Sequence, residues 1–353
     1  MAIDTLSDVL RSVRLRGAVF YYLSFGHEWA AQAPAVNEIA GTVIPGAEHV
    51  MEYHVITKGS GWAAIVGEPP VRLEAGDIIM FPHGDAHVIS SAPNMQPIRM
   101  TPEWVLATRN DPKPIPVVFS TPTEFSYGAP GPDSPTNVAC GFLGCDLRPF
   151  NPLIATLPRL MHLPAASSGA WISEVMRQAV DASQNQRPGG RAVLERISEM
   201  MFVDAIRRHV ERLPAESTGW LAGLADRHVG RALAIIHEDP ARAWTIDALA
   251  DEIALSRSAF YERFVRLIGQ PPMQYLTQWR MQAAATLLRE SRAPVASIAL
   301  DVGYESEAAF TRAFKRQVGK PPAAWRRSQN TAAALKSCPF GAVLPRKTQC
   351  ARC

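Results

Sequence analysis

A chain of 353 residues, 47% hydrophobic and 20% charged, holds enough apolar material for two domains with full cores, which excludes a largely disordered or fibrous protein. No apolar run reaches the ~18–20 residues of a membrane span. The first twenty residues carry Asp4 and Asp8 and lack the apolar core of a signal peptide, so a soluble cytoplasmic protein with no membrane partner is expected. The net charge of +3 is unevenly spread: residues 1–218 hold 17 basic and 22 acidic side chains, residues 219–330 hold 15 and 11, and residues 331–353 hold four basic and none acidic. That asymmetry points the back half of the chain toward a polyanion.

In chain order, residues 49–91 alternate strand-like runs with Gly and Pro turns. Glu52-Tyr53-His54-Val55-Ile56 reads as a strand, whose period of two puts Glu52 and His54 on one face. Gly76-Asp77 reads as a turn, Ile78–Phe81 as a short buried strand, and Pro82-His83-Gly84 as a second turn that delivers His87 into the next strand. The spacing Gly76-x5-Pro82-x-Gly84-x2-His87 resembles the second motif of the cupin barrel, with Ser91 where that family usually has Asn. The first cupin motif is degraded: its His-x-His pair stands as Glu52-x-His54, and Lys58-Gly59 replaces the expected Glu. By this resemblance residues 1–165 form a cupin-like β-barrel that encloses a small effector, with Tyr53, His54, Trp62, Met80 and His87 as lining candidates. The resemblance also makes His54, His87 and Glu52 candidate ligands of a divalent metal such as iron or manganese, although the ligand set is incomplete. The alternative is that these side chains are structural.

Residues 101–136 carry eight prolines and read as an irregular excursion of the barrel. Residues 137–165 read as a closing strand followed by a short helix over Pro152–Met161. Two helices, 168–182 and 190–213, form a region (166–218) that packs on the barrel or on a second subunit. The apolar stripe of the second comprises Leu194, Ile197, Met201 and Ala205. Cys140 and Cys145 read as buried small hydrophobes. Cys338, Cys350 and Cys353 fall in a basic, disordered tail, 331–353, where Cys350-x2-Cys353 has chelate or redox spacing, a minority reading.

Residues 219–330 contain an internal repeat. FYERFVRLIGQPP at 260–272 and FTRAFKRQVGKPP at 310–322 align at an offset of 50, matching Phe260 with Phe310, Phe264 with Phe314, and Gly269 with Gly319. Each copy reads as helix, tight turn, helix: Thr245–Ala254 then Ser256–Ile268, and Val295–Val302 then Ser306–Val318. Thr245, Ser256 and Ser306 are the N-caps, and Gly269 and Gly319 the terminators. A helix over Met273–Arg289 joins the copies. Two such units on a basic domain read as two helix-turn-helix motifs, with second helices that would enter successive major grooves, rather than as ordinary helical hairpins.

The stretch IALDVGYESEAAFTRAFKR at 298–316, continuing to Pro321-Pro322, resembles the signature of the AraC/XylS family of transcription regulators. The order barrel, helices, paired units resembles that family's cupin-sensor branch, a multidomain α+β fold. The resemblance implies contacts to base edges from Arg257, Ser258, Tyr261 and Glu262 in the first recognition helix, and from Glu307, Ala308, Thr311 and Arg312 in the second. Arg263, Arg266, Lys315 and Arg316 are better placed for phosphates or for packing by their stems. It further implies double-stranded DNA, a small effector and RNA polymerase as partners, a homodimer, and activation as the sign of control. Two rivals remain at this point: a metal-dependent cupin enzyme with an accessory DNA-binding domain, and a constitutive DNA-binding protein whose barrel only dimerises.

Overall fold

The computed structural model describes residues 4–108, 111, 114–121, 124–127, 134–165, 171–184 and 188–337. A short helix, α1 (Thr5–Ser12), is capped by Asp4 and precedes the first strand. The strands that follow are β1 (Arg16–Phe25), β2 (Ala30–Ala33), β3 (His49–Lys58), β4 (Ser60–Ile65), β5 (Val71–Glu74), β6 (Ile78–Phe81), β7 (His87–Ser90), β8 (Ile98–Arg99), β9 (Ile115–Thr121), β10 (Glu124–Tyr127), β11 (Thr136–Cys145) and β12 (Met161–Leu163). Among the described residues they form two sheets, in the orders β10-β9-β1-β11-β3-β6-β12 and β5-β4-β7-β2-β8.

Strand parity sorts the side chains into two cores. Leu23, Phe25, Val50, Ile56, Ile79, Phe81, Ile89, Phe119, Cys140 and Phe142 share the apolar interior enclosed by the sheets. Tyr22, Met51, Tyr53, Val55, Ile78, Met80, Ala139 and Leu143 face outward from the larger sheet, onto the two helices that follow the barrel. β3 is buried on both faces from Val50 to Ile56, and Glu52 and His54 are the polar exceptions in that stretch. Those helices are α2 (Trp171–Gln184) and α3 (Gly190–Glu211). Leu194, Ile197, Met201 and Ala205 of α3 are buried against the sheet, so the stripe read from the sequence packs on the barrel of its own chain. Gly17 permits this close approach, because a Cβ there would lie 2.5 Å from the Glu195 carbonyl oxygen and from the Ser198 Cβ.

Two sequence expectations fail in this half. The 101–136 stretch contains a helix over Pro102–Ala107 and two strands of the larger sheet; Pro116 sits in β9 without breaking it. In place of a closing strand and helix, β11 lies in the middle of its sheet, the helical turn shrinks to Ile154–Thr156, and β12 pairs with β6.

The C-terminal helices are α4 (Trp220–Ala225), α5 (Arg227–Glu238), α6 (Ile246–Glu252), α7 (Arg257–Ile268), α8 (Pro272–Glu290), α9 (Val295–Asp301), α10 (Glu307–Val318) and α11 (Pro322–Ser337). The expected caps are in place: Thr245, Ser256 and Ser306 accept from Ala248 N, Ala259 N and Ala309 N at 3.1, 3.3 and 3.2 Å. Gly269 and Gly319 close α7 and α10 in the left-handed region. The turn between α9 and α10 uses Gly303 at φ 82°; the equivalent turn of the first unit places Ala254 at φ 55°. The second unit has its own core, with Met281, Leu288, Ile298, Val302, Phe310, Phe314 and Trp325. The first unit shares one continuous core with the outer face of the barrel. Gln282 of α8, 2% exposed, fixes that junction: its amide donates to Ser12 O and accepts from Phe150 N, both at 3.0 Å. The segment over 331–337, expected to be disordered, continues α11; residues 338–353, with the three tail cysteines, lie outside the described residues.

Candidate functional site

Among the described residues, the barrel interior contains one cluster of ionisable side chains at odds with its apolar surroundings. Glu52 and His54 project inward from β3, and His87 projects from the start of β7; they are 4%, 2% and 0% exposed. One donor atom from each lies within 4.8 Å of the others. Antiparallel register sets Cys140 of β11 opposite His54 and Phe81 of β6 opposite Glu52. The Phe81 ring stacks on His87 at 3.7 Å between centroids.

The hydrogen bonds define the tautomers. His87 Nδ1 lies 2.9 Å from Asp85 O, and a carbonyl only accepts, so Nδ1 carries the proton. Nε2 of neutral His87 is then an acceptor. His54 Nε2, at 2.6 Å, must donate to it. His54 Nδ1 is in turn an acceptor, and the Cys140 thiol at 2.7 Å must be its donor. Burial enforces neutrality along this chain: it lowers His87 to about 4, holds His54 well below its ordinary value with help from the neighbouring imidazole, and raises Cys140. Burial also pushes Glu52 up to about 8, and its Oε2 is buried without a hydrogen-bond partner.

Two imidazole nitrogens and a carboxylate, with one carboxylate oxygen orphaned, are a donor set suited to a divalent cation such as zinc, iron or manganese. These are the three residues that the cupin resemblance marks as candidate metal ligands, with Glu52 in place of the missing histidine. A cation there would be held by Glu52, His54 and His87 and would act as a Lewis acid or as the anchor of an anionic ligand.

The structure corrects the other lining candidates. Tyr53 and Met80 face away from the interior: Tyr53 OH lies 2.5 Å from Ser198 Oγ on α3, and Met80 belongs to the same outer core. Trp62 alternates with the inward Gly61 and Ala63 of β4 and lies outside, with the Arg72 guanidinium 5.7 Å from its ring centroid. Of the five, only His54 and His87 reach the interior. Cys140, read from the sequence as a small hydrophobe, belongs to the cluster; only the register between β3 and β11 reveals it.

The second candidate surface is formed by α7 and α10. Phe260, Phe264 and Leu267 turn inward on α7, as do Phe310 and Phe314 on α10. The opposite faces are open: Arg257, Ser258, Tyr261, Glu262 and Arg266 are exposed on α7, and Glu307, Ala308, Arg312, Lys315 and Arg316 on α10. Tyr261 is a large aromatic left 43% exposed. Thr311 is half-buried. Arg263 differs from the rest. Its Nε and Nη2 bind both carboxylate oxygens of Asp226, at 3.0 and 2.6 Å, and Asp226 caps α5 by accepting from His228 N and Val229 N. The guanidinium fork expected to meet a phosphate is thus engaged in tying α7 to α5. Arg257 pairs loosely with Asp247 at 3.3 Å, and both are well exposed.

Comparison with known proteins places these features in a family. Residues 4–211 match the family model described as Cupin, and residues 249–328 match that described as Helix-turn-helix domain. An AraC-like transcription regulator of Streptomyces lividans is 33% identical over 92% of this chain and 98% of its own length. The HTH-type transcriptional regulator AlkR of Acinetobacter baylyi is 27% identical over 92% of this chain and 99% of its own. Among solved structures, the DNA-binding domain of AdpA in complex with a target DNA is 31% identical, covering 30% of this chain and 95% of that one, with a TM-score of 0.29. A cupin domain of β-sheets, joined to a helical domain with two helix-turn-helix units, makes this chain a member of the AraC family of transcription regulators, in its cupin-bearing branch.

Proposed function

We propose that the chain is a sequence-specific, DNA-binding activator of transcription that acts in the cytoplasm as a homodimer, engages RNA polymerase, and is switched by a small effector bound at the Glu52–His54–His87 centre of its barrel. The observation that carries the DNA-binding part is the open polar face on each of α7 and α10, on helices whose opposite faces are locked into separate cores. Arg257, Ser258, Tyr261 and Glu262 of one unit, and Glu307, Ala308, Thr311 and Arg312 of the other, read base edges; Arg266, Lys315 and Arg316 hold phosphates. The sensing part is supported by the buried ionisable cluster, whose burial is costly unless its groups are paired or hold a ligand. Tyr53, next to His54 on β3, is hydrogen-bonded to Ser198 of α3, so the strand carrying the cluster is bonded to the helix leading into the DNA-binding domain. Dimerisation is supported by apolar side chains on the outer side of the helix pair: Trp171 and Val175 of α2, and Val193, Met200 and Val203 of α3, are exposed. The metal-dependent enzyme reading is weaker, because the first cupin motif is incomplete: Glu52 stands in place of a histidine and Lys58-Gly59 in place of the expected Glu.

An effector must bind one DNA-binding arrangement better than another. Operator fragments selected from the source genome should therefore bind the full-length protein with altered affinity when the low-molecular-weight fraction of a cell extract is added. The alteration should vanish in a His54→Ala, His87→Ala variant. An unaltered affinity in every growth condition tried would leave a constitutive DNA-binding protein.

A further inference from the structure

We propose that Cys140 sets the tautomer of His54 and thereby controls the loading of a divalent cation onto Glu52, His54 and His87. The proposal rests on the barrel interior being the sensing site, and it starts from the unbroken run of donors described above. Cys140 S–H donates to His54 Nδ1, His54 Nε2–H donates to His87 Nε2, and His87 Nδ1–H donates to Asp85 O. In that arrangement the His54 nitrogen facing the cluster carries a proton and cannot ligate.

The spacing agrees. Two imidazole nitrogens bound to one zinc at ~2.1 Å and a tetrahedral angle stand about 3.4 Å apart. His54 Nε2 and His87 Nε2 are 2.6 Å apart, in direct hydrogen-bond contact and closer than two ligands of one zinc would stand. The independent sign that the centre receives a ligand is Glu52: it is 4% exposed, its buried Oε2 has no hydrogen-bond partner, and its Oε1 comes no nearer than 3.9 Å to His54 Nε2.

Loading a cation requires a proton movement at His54, from Nε2 to Nδ1. Nδ1–H then points at Cys140, whose sulfur must turn from donor to acceptor. Thiol donation to His54 and cation ligation by His54 therefore exclude each other. A thiol serves both states, because it can give or accept a weak hydrogen bond. An alanine serves neither, and it harms the loaded state more, because that state would bury an N–H without a partner. His87 needs no change, since Asp85 O already holds its proton on Nδ1. This is the outer-shell contact that metal-binding histidines require. His54 obtains the same contact only after the thiol reverses.

The test uses the full chain, labelled with 15N-histidine, freed of metal and titrated with zinc. Long-range 1H–15N spectra, assigned with His54→Gln and His87→Gln variants, should show His54 protonated at Nε2 and His87 at Nδ1 before zinc. Zinc should move the His54 proton to Nδ1 and leave His87 as it was. Zinc affinity at this centre should fall about tenfold in Cys140→Ala and return in Cys140→Ser. A His54 already protonated at Nδ1 in the metal-free protein, zinc signals confined to other residues, or an unchanged affinity in a folded Cys140→Ala would each overturn the proposal. The wild-type spectra decide the first two even if Cys140→Ala does not fold. If zinc moves the proton as described but leaves operator affinity unchanged, the tautomer mechanism stands and the barrel's role as sensor fails.

Discussion

Removing the carboxylate of Asp226 tests how the first helix-turn-helix unit is held. Its oxygens accept from two backbone N–H groups at the start of α5 and from the Arg263 fork on α7. Losing an N-cap costs about 1 kcal/mol. With 39% of the Arg263 side chain and 13% of the Asp226 side chain exposed, the ion pair is partly screened and adds roughly 0.5–1 kcal/mol. Asp226→Ala should therefore destabilise by about 2 kcal/mol. Asp226→Asn keeps an acceptor for the cap and should lose only the ion-pair share. Arg263→Ala should match Asp226→Asn, because it leaves the cap intact. Urea denaturation gives these differences as midpoint shifts at constant slope. The same proteins, titrated onto a selected operator duplex, give the second half of the argument. Because the Arg263 guanidinium is already engaged, Arg263→Ala should change operator affinity by less than threefold. A normal urea midpoint together with a tenfold or greater loss of operator affinity in Arg263→Ala would mean that Arg263 contacts phosphate and does not hold α7 to α5.

Arg312→Ala should cost about 1–3 kcal/mol of operator binding and relax preference at one base pair, as read by competition with single-base variants of the operator. Equal weakening on all sequences would make Arg312 a phosphate contact. Phe310→Ala should cost about 3–5 kcal/mol in the second unit. Since that unit has its own core, hydrogen exchange should quicken over α9–α11 and stay unchanged over α5–α7. Glu52 gives a pH dependence in the metal-free protein. Burial pushes its folded-state carboxyl up to about 8 from an ordinary 4.5, so the folded chain keeps a proton that the unfolded chain sheds. Its contribution is complete below about pH 4.5 and is lost as pH rises toward 8. At about 1.4 kcal/mol per pH unit, Glu52→Gln should exceed the wild type by about 3 kcal/mol at pH 7 and by little at pH 5. Equal stability of the two proteins across that range would mean that Glu52 is ionised in the fold.

What could be read from the sequence follows from the range of the interactions. Thr245, Ser256, Ser306, Gly269 and Gly319 act on backbone within four residues of themselves, and each cap sits where local chemistry put it. Strand parity is equally local. It places Glu52 and His54 inward, and it excludes the intervening Tyr53 from their face. Cys140 and Asp226 could not be read this way. Their partners lie 86 and 37 residues along the chain, and only the register of β3 on β11 and the packing of α7 on α5 bring them together. The prolines of 101–136 misled because proline at a strand edge or helix start breaks nothing: Pro102 opens a helix at its first turn, where its missing N–H costs no bond.

The most direct test of the central claim is footprinting of the purified full-length protein on DNA selected from its own source genome, at low salt. Discrete protected sites are expected, each with contacts in two successive major grooves about one helical turn apart, lost together as salt is raised. Uniform coverage, or no protection at low salt, would contradict a sequence-specific regulator.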